Sequence, residues 1–316
     1  MNKRMMKITF GLAFGGAFLW LLPSIGLSQI PPCTASVGGN TYGKIQDAIN
    51  LTTSPYPTIS VTGVCNENLI INELKDYIRL TVPPGGTATI TGTNPSMPAI
   101  TIIGKGITVE KFTINGAQDG IQVVRGGTAF IENNISIETG GYGIVLAFNS
   151  YAQIRGNNIQ NNPRGGIVVT YNSFARIGFR SNSNKDPVPN FIQGNAFGVL
   201  VGSSSSAQII GNTISSNTED GVRVSKVSQA DISDNDIDGN GRNGILVEQN
   251  SGVNLGRDTE VTFFDHPNRS DEEGNGAYGL RCDTGGYADG RLGTLDGVGK
   301  KTATYFAKSC VDSLIP

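Results

Sequence analysis

Seven glycines, Gly120, Gly143, Gly166, Gly198, Gly221, Gly244 and Gly279, each precede an apolar residue, a variable one and another apolar one, at intervals of 23, 23, 32, 23, 23 and 35 residues. A fixed period with two enlarged steps restricts the chain to a stack of repeated units, because a unit this short cannot bury an apolar face alone and must lay it on its neighbours. Nine residues after each of the first six glycines stand Ala129, Ala152, Ala175, Ala207, Ala230 and Val253, and eleven after stand Ile131, Ile154, Ile177, Ile209, Ile232 and Leu255. These series read as inward ladders. Between them, apolar and polar residues alternate over short runs broken by Gly, Asn and Ser, which is strand periodicity. Each repeat is therefore expected to hold about three short strands joined by tight turns, with equivalent strands stacked in parallel about 4.8 Å apart.

Asn157, Asn190, Asn212 and Asn235 fall at one bend of the repeat. Asparagine tolerates left-handed backbone and bonds neighbouring backbone groups, so the series predicts a stacked ladder. Ser150, Ser173, Ser205, Ser228 and Ser251 form a second turn series, with no accompanying base that would make them nucleophiles.

The glycine-led strand, the alanine and isoleucine ladders, the asparagine bend and the period of 23 together resemble the right-handed parallel β-helix of pectin-lyase-like repeat proteins. The resemblance implies an all-β solenoid over residues 58–285, in which TYGKIQDAIN, residues 41–50, resembles the short helix that caps the first turn. Residues 29–57 then form an N-terminal cap and residues 286–316 a C-terminal one. Caps are needed because the ends of a stack expose core and unpaired strand edges.

The ends of the chain bear on where it works. Residues 1–28 read as a signal peptide: Lys3, Arg4 and Lys7 precede an apolar run from Ile8 to Leu22, and Gly26 and Ser28 suit cleavage after Ser28. An uncleaved anchor is the alternative. The remaining chain carries 21 Lys and Arg against 26 Asp and Glu, a charge of −5, which argues against nucleic acid as a partner. Export to a periplasmic or extracellular compartment is expected. Cys33, Cys65, Cys282 and Cys310 all lie outside the central repeats, two near each end. Three pairings are open on paper; in an oxidising compartment, pairing Cys33 with Cys65 and Cys282 with Cys310 staples the ends where a stack frays.

The two long steps carry the functional expectation. Extra residues enter after Ile177-Gly178 and after Leu255-Gly256, three turns apart, and insertions on one side of a solenoid commonly mark a binding face. Between them an outward row runs Arg176, Gln208, Asp231, Asn254, and the loops add Arg180, Lys185, Asp265, His266 and Arg269. A polar floor of mixed charge suits a polysaccharide or other glycan. Proton abstraction beside a uronate carboxylate needs a base and a stabilising cation, so Asp231, His266 and Arg176 are the candidate catalytic set of a lyase or epimerase, with Arg180, Lys185, Gln208, Asn254 and Arg269 as binding residues. The other class is a non-catalytic adhesive, scaffold or interaction protein, and the sequence leaves both open.

Enzyme motifs of the resembled proteins are missing. SNTEDG, residues 216–221, only approximates the NTDG element of pectin hydrolases, whose GHG and RIK companions are absent. FDHPN falls short of the DPHD stretch of alginate epimerases, and no WxDH element is present. DNDIDG, residues 234–239, begins like a calcium loop but has Ile245 where that loop requires Glu. No cofactor or metal is expected. Finally, the outward residue of the glycine-led strand is Val145, Val168, Leu200 and Leu246 in four turns, interrupted by Arg223 and preceded by Gln122. Such an apolar stripe is covered by a terminal segment or used in self-association.

Overall fold

The computed structural model describes residues 31–179, 188–256, 266–271, 273–297 and 310. The glycine-led strands form one face, a nine-stranded parallel sheet that includes Tyr142–Leu146, Gly165–Val169, Val199–Val201, Val222–Val224 and Ile245–Val247. A second face carries Thr128–Glu132, Tyr151–Arg155, Phe174–Ile177, Ser206–Ile210, Gln229–Ser233 and Gly252–Leu255. The third carries Ser136–Thr139, Asn158–Gln160, Phe191–Gln193, Thr213–Ser215 and Asp236–Asp238. The fold is thus an all-β parallel solenoid with three strands per turn.

Register follows the repeat. Ala129 pairs with Ala152, Ala152 with Ala175, Ala175 with Ala207 and Ala207 with Ala230, while Ile131, Ile154, Ile177, Ile209 and Ile232 pair in the same succession. All ten side chains are buried. The early turns join the same pattern, since Ile131 also pairs with Val109. The opening glycines are required by space and not by backbone angle. A Cβ on Gly166 would stand 2.6 Å from the carbonyl oxygen of Gly198, and one on Gly143 would stand 2.8 Å from that of Gly166. Each turn therefore needs a glycine because the next turn presses its backbone there.

Two asparagine ladders run through the bends. In the first, the backbone N–H and Nδ2 of Asn157 donate to Asn190 Oδ1 at 3.0 and 2.9 Å, and Asn190 repeats this onto Asn212 at 3.2 and 2.8 Å. The chain of bonds begins at Asn134 and continues through Asn235 to Asn268, two members more than the sequence pattern suggested. The second ladder, Asn162, Asn195, Asn217, Asn240 and Asn275, lies past the third face and was not anticipated. Its signal was present, because Asn162, Asn195, Asn217 and Asn240 each follow a member of the first ladder by five residues. The serine series is also a ladder: Ser150, Ser173, Ser205 and Ser228 each donate a backbone N–H to the hydroxyl of the next serine.

The first turn is closed by an antiparallel pair, Thr34–Val37 and Asn40–Tyr42, and by the helix Ile45–Leu51, which buries Ile45, Ala48 and Ile49. The helix has no side-chain cap of its own at Lys44. Glu67, from the first turn of the stack, supplies it by accepting the N–H groups of Ile45 at 2.7 Å and Gln46 at 3.1 Å. A carboxylate there also complements the positive end of the helix dipole. Disulfides join Cys33 to Cys65 and Cys282 to Cys310, the expected local pairings. Parallel pairing reaches beyond residue 285, since Tyr287–Gly290 pairs with Gly252–Leu255.

Candidate functional site

Strand pairing on the second face brings Gln153 beside Arg176, Arg176 beside Gln208, Gln208 beside Asp231 and Asp231 beside Asn254. The expected outward row therefore exists, and Gln153 extends it toward the N-terminal end. Asn254 donates from Nδ2 to Asp231 Oδ1 at 2.8 Å, which orients the carboxylate along the row. Arg176 holds its guanidinium 5.8 Å from the centre of the Phe179 ring.

The row has an aromatic border that the sequence reading did not pick out. Tyr151 and Phe174 stand outward two residues before Gln153 and Arg176, with rings stacked at 5.7 Å and an interplanar angle of 11°. They repeat at the same spacing of 23 as the ladders, so the signal was available. Gln153 Nε2 donates to the Tyr151 hydroxyl at 2.8 Å, which ties the border to the floor. Farther along, Tyr287 lies over Gly252 and donates its hydroxyl to Gln229 Oε1 at 3.1 Å.

Three polar atoms in this row, Gln153 Oε1, Arg176 Nε and Gln208 Oε1, are buried without a hydrogen-bond partner. Native structures pair nearly all buried polar atoms, so three orphans on neighbouring turns set this part of the row apart.

Toward the N-terminal end the same face carries ion pairs. Arg155 binds Glu132 through both carboxylate oxygens at 2.9 and 2.8 Å, and Arg79 binds Glu110 at 2.7 Å. Burial raises the Glu110 carboxyl, but hydrogen bonds from Thr81 and Arg79 and the charges of Arg79 and Lys111 outweigh it and hold the group below its usual range. Glu110 is therefore a fixed negative charge and not a proton donor.

The remaining expected residues are placed as follows. Arg180, Lys185 and Asp265 lie outside the described residues. His266 is exposed, and its carbonyl accepts the N–H of Asp234 at 2.9 Å, at the edge of the second face just before the asparagine bend. Arg269 pairs with Asp236 on the third face, binds Asp271 at 2.6 Å and approaches Asp234 at 4.0 Å. The hydrogen bond to Asp271, with the surrounding carboxylates, holds Arg269 firmly protonated. The structure thus unites Arg176, Gln208, Asp231 and Asn254, while Arg269 stands on the adjoining face.

The acidic DNDIDG stretch is absorbed by the stack. Ile237 is buried, and Asp238 accepts the N–H groups of Glu273 and Gly274. Burial, reinforced by the charge of Asp271, pushes the Asp236 carboxyl up. Among the described residues, the set with metal-ligand proximity is Cys33, Cys65 and Glu67, and its two sulfurs are bonded to each other. No free thiolate is left there to hold an ion.

On the first face the outward column runs Gln122, Val145, Val168, Leu200, Arg223, Leu246, Arg281 in register. Tyr142 and Phe197 flank it with ring centres 6.2 Å apart, and Arg164 caps the Tyr142 ring at 4.8 Å. The column is in register, but Val168 is buried and Val145 and Leu200 are half-buried, and it gives way to charged residues toward its C-terminal end.

A family model described as a right-handed β-helix region matches residues 52–188 and 168–284. The chain belongs to that family. No curated protein and no solved structure matches it. The two matched spans of this β-helix protein overlap across Arg176, so the candidate row lies within the repeats that define the family and not in an appended segment.

Proposed function

We propose that this β-helix protein is exported and binds an acidic polysaccharide along its second face. The observation that carries the reading is the row Gln153, Arg176, Gln208, Asp231, Asn254, which sets amide, guanidinium and carboxylate groups on consecutive turns beside the stacked Tyr151 and Phe174 rings. Aromatic faces accept the C–H surface of a sugar ring, and the polar row supplies hydrogen bonds along the chain. The Arg176 guanidinium suits a uronate carboxylate, and the amides of Gln153 and Gln208 beside it suit sugar hydroxyls. Export is supported by the apolar leader with its basic start and by two disulfides, which persist in oxidising compartments. Among the described residues no helix is long and apolar enough to cross a membrane.

Binding is preferred to lyase or epimerase chemistry because the candidate catalytic groups do not converge. Arg176 and Asp231 lie two strand steps apart, about 9.6 Å, and His266 enters a further turn away, beside Asp234 at the edge of the face. Proton abstraction requires base and cation at one carbon. The test is a panel of polygalacturonate, alginate and neutral glucans, read both for retention of the protein and for absorbance of unsaturated products. Retention on the acidic polymers without product is the expected result, weakened in Arg176→Ala. Product formation lost in His266→Ala would replace binding by catalysis, and no retention on any polymer would overturn the proposal.

A further inference from the structure

At the C-terminal end of the first face lies a recess separate from the polysaccharide row, lined by Asp220, Arg223, Arg242, Asn243, Leu246 and neighbours. Its cations are not equivalent. Arg223 is held by Glu248 through Nε at 2.9 Å and through its terminal nitrogen, and Arg281 is held by Asp283 at 2.8 Å. Arg242 is exposed and has no acidic partner within ion-pair distance among the described residues.

Beside it, Asn243 is 4% exposed, yet its side-chain oxygen is buried with no hydrogen-bond partner. The amide is fixed in that orientation, because Asn243 donates its backbone N–H and its Nδ2 to Asp220 Oδ1 at 3.1 and 2.7 Å. The Asp220 bond alone is architectural: Asp119, at the corresponding position nearer the N-terminal end, accepts the N–H of Tyr142 in the same way at 2.8 Å. That role accounts for an Asp, but it accounts neither for the three arginines nor for the orphaned acceptor of Asn243.

A guanidinium in no close ion pair among the described residues, a buried acceptor without a donor and an apolar floor at Leu246 specify complementary groups: an anion, a hydroxyl donor and C–H surface. We propose that this recess is a second ligand site, which takes a carboxylate whose neighbouring carbon bears a hydroxyl, with the carboxylate on Arg242, the hydroxyl donating to Asn243 and an apolar flank on Leu246. Burial raises the Asp220 carboxyl, against the hydrogen bonds from Asn243 and the charges of Arg223 and Arg242. The apolar column that ends at Leu200 leads into the recess from one side, since Leu200 pairs with Arg223 and Arg223 with Leu246.

The test uses three probes titrated into the disulfide-intact protein and followed by NMR or calorimetry. 2-Hydroxyisocaproate carries all three features, 4-methylpentanoate lacks the hydroxyl, and 2-hydroxyisocaproamide lacks the charge. Saturable binding of the first, with both analogues weaker by about tenfold or more, is expected from the loss of one charged or buried hydrogen bond. Arg242→Gln should weaken the first probe by a similar factor, while Arg125→Gln, an exposed arginine elsewhere on the stack, and Arg176→Ala should leave it unchanged. Equal binding of the three probes, no saturable binding of the first, or full affinity in Arg242→Gln would overturn the proposal. Sensitivity to Arg176→Ala instead would assign the ligand to the second face.

Discussion

Removing one asparagine from the first ladder should destabilise the protein far more than its single side chain suggests. Asn212 is 2% exposed and takes part in bonds to both neighbouring turns. Its Oδ1 accepts from the N–H and Nδ2 of Asn190 at 3.2 and 2.8 Å, and its Nδ2 donates to the carbonyls of Ile177 and Ile210 and to Asn235 Oδ1 at 3.0, 3.1 and 3.0 Å. Asn212→Ala strips two donors of Asn190 of their acceptor and deprives Ile177 of a donor, all inside a packed bend. A buried polar group left unpaired costs about 1–3 kcal/mol; with water entering the vacated space, the expected loss is about 3–5 kcal/mol. Urea unfolding followed by far-UV circular dichroism measures it as a lower midpoint at unchanged slope. Thr213→Ala, one residue on and partly exposed, is the control and should stay within about 0.5 kcal/mol of wild type. A loss below about 1 kcal/mol in Asn212→Ala would show that the ladder decorates the bend and does not hold it.

Further outcomes follow from the ends of the stack and from its buried acid. Replacing Cys282 and Cys310 by Ser removes a link across a sequence separation of 28 residues and should cost about 3–4 kcal/mol by the chain-entropy relation; reductant should then have less effect on the variant than on wild type. Asp220 has its carboxyl raised by burial in the folded state, so its contribution is full below its unfolded value near 3.9 and is lost as pH rises through the raised folded value. Asp220→Asn keeps an acceptor for Asn243, and its stability relative to wild type should therefore grow as pH rises above about 4; a difference that shrinks as pH rises would reverse the sign of the argument.

The architecture was legible because a stack repeats one packing environment, so each position writes the same residue type many times. Ala129 to Ala230 and Ile131 to Ile232 fix register by recurrence alone, and the opening glycines recur because each neighbours the next glycine's backbone. The local disulfides followed from cysteines confined to the ends. Sites are harder to read, since they are departures from the repeat. The row from Arg176 to Asn254 could be found because it occupies one column of the repeat. The recess at Asn243 draws on different columns, with Asp220 and Asn243 before the glycine and Arg223, Leu246 and Glu248 after it, and no single periodic series contains it. The position of Arg269 depended on where the chain re-enters the stack after its insertion, on the third face beside Asp236, which spacing does not encode.

A crystal structure of the protein with a bound acidic oligosaccharide tests the central claim most directly. The account predicts sugar density along the second face, with rings against Tyr151 and Phe174, a carboxylate on Arg176, and hydroxyls within hydrogen-bond distance of Gln153 and Gln208. An oligosaccharide ordered elsewhere on the solenoid, with this row bare and its three buried polar atoms still unpaired, would contradict it.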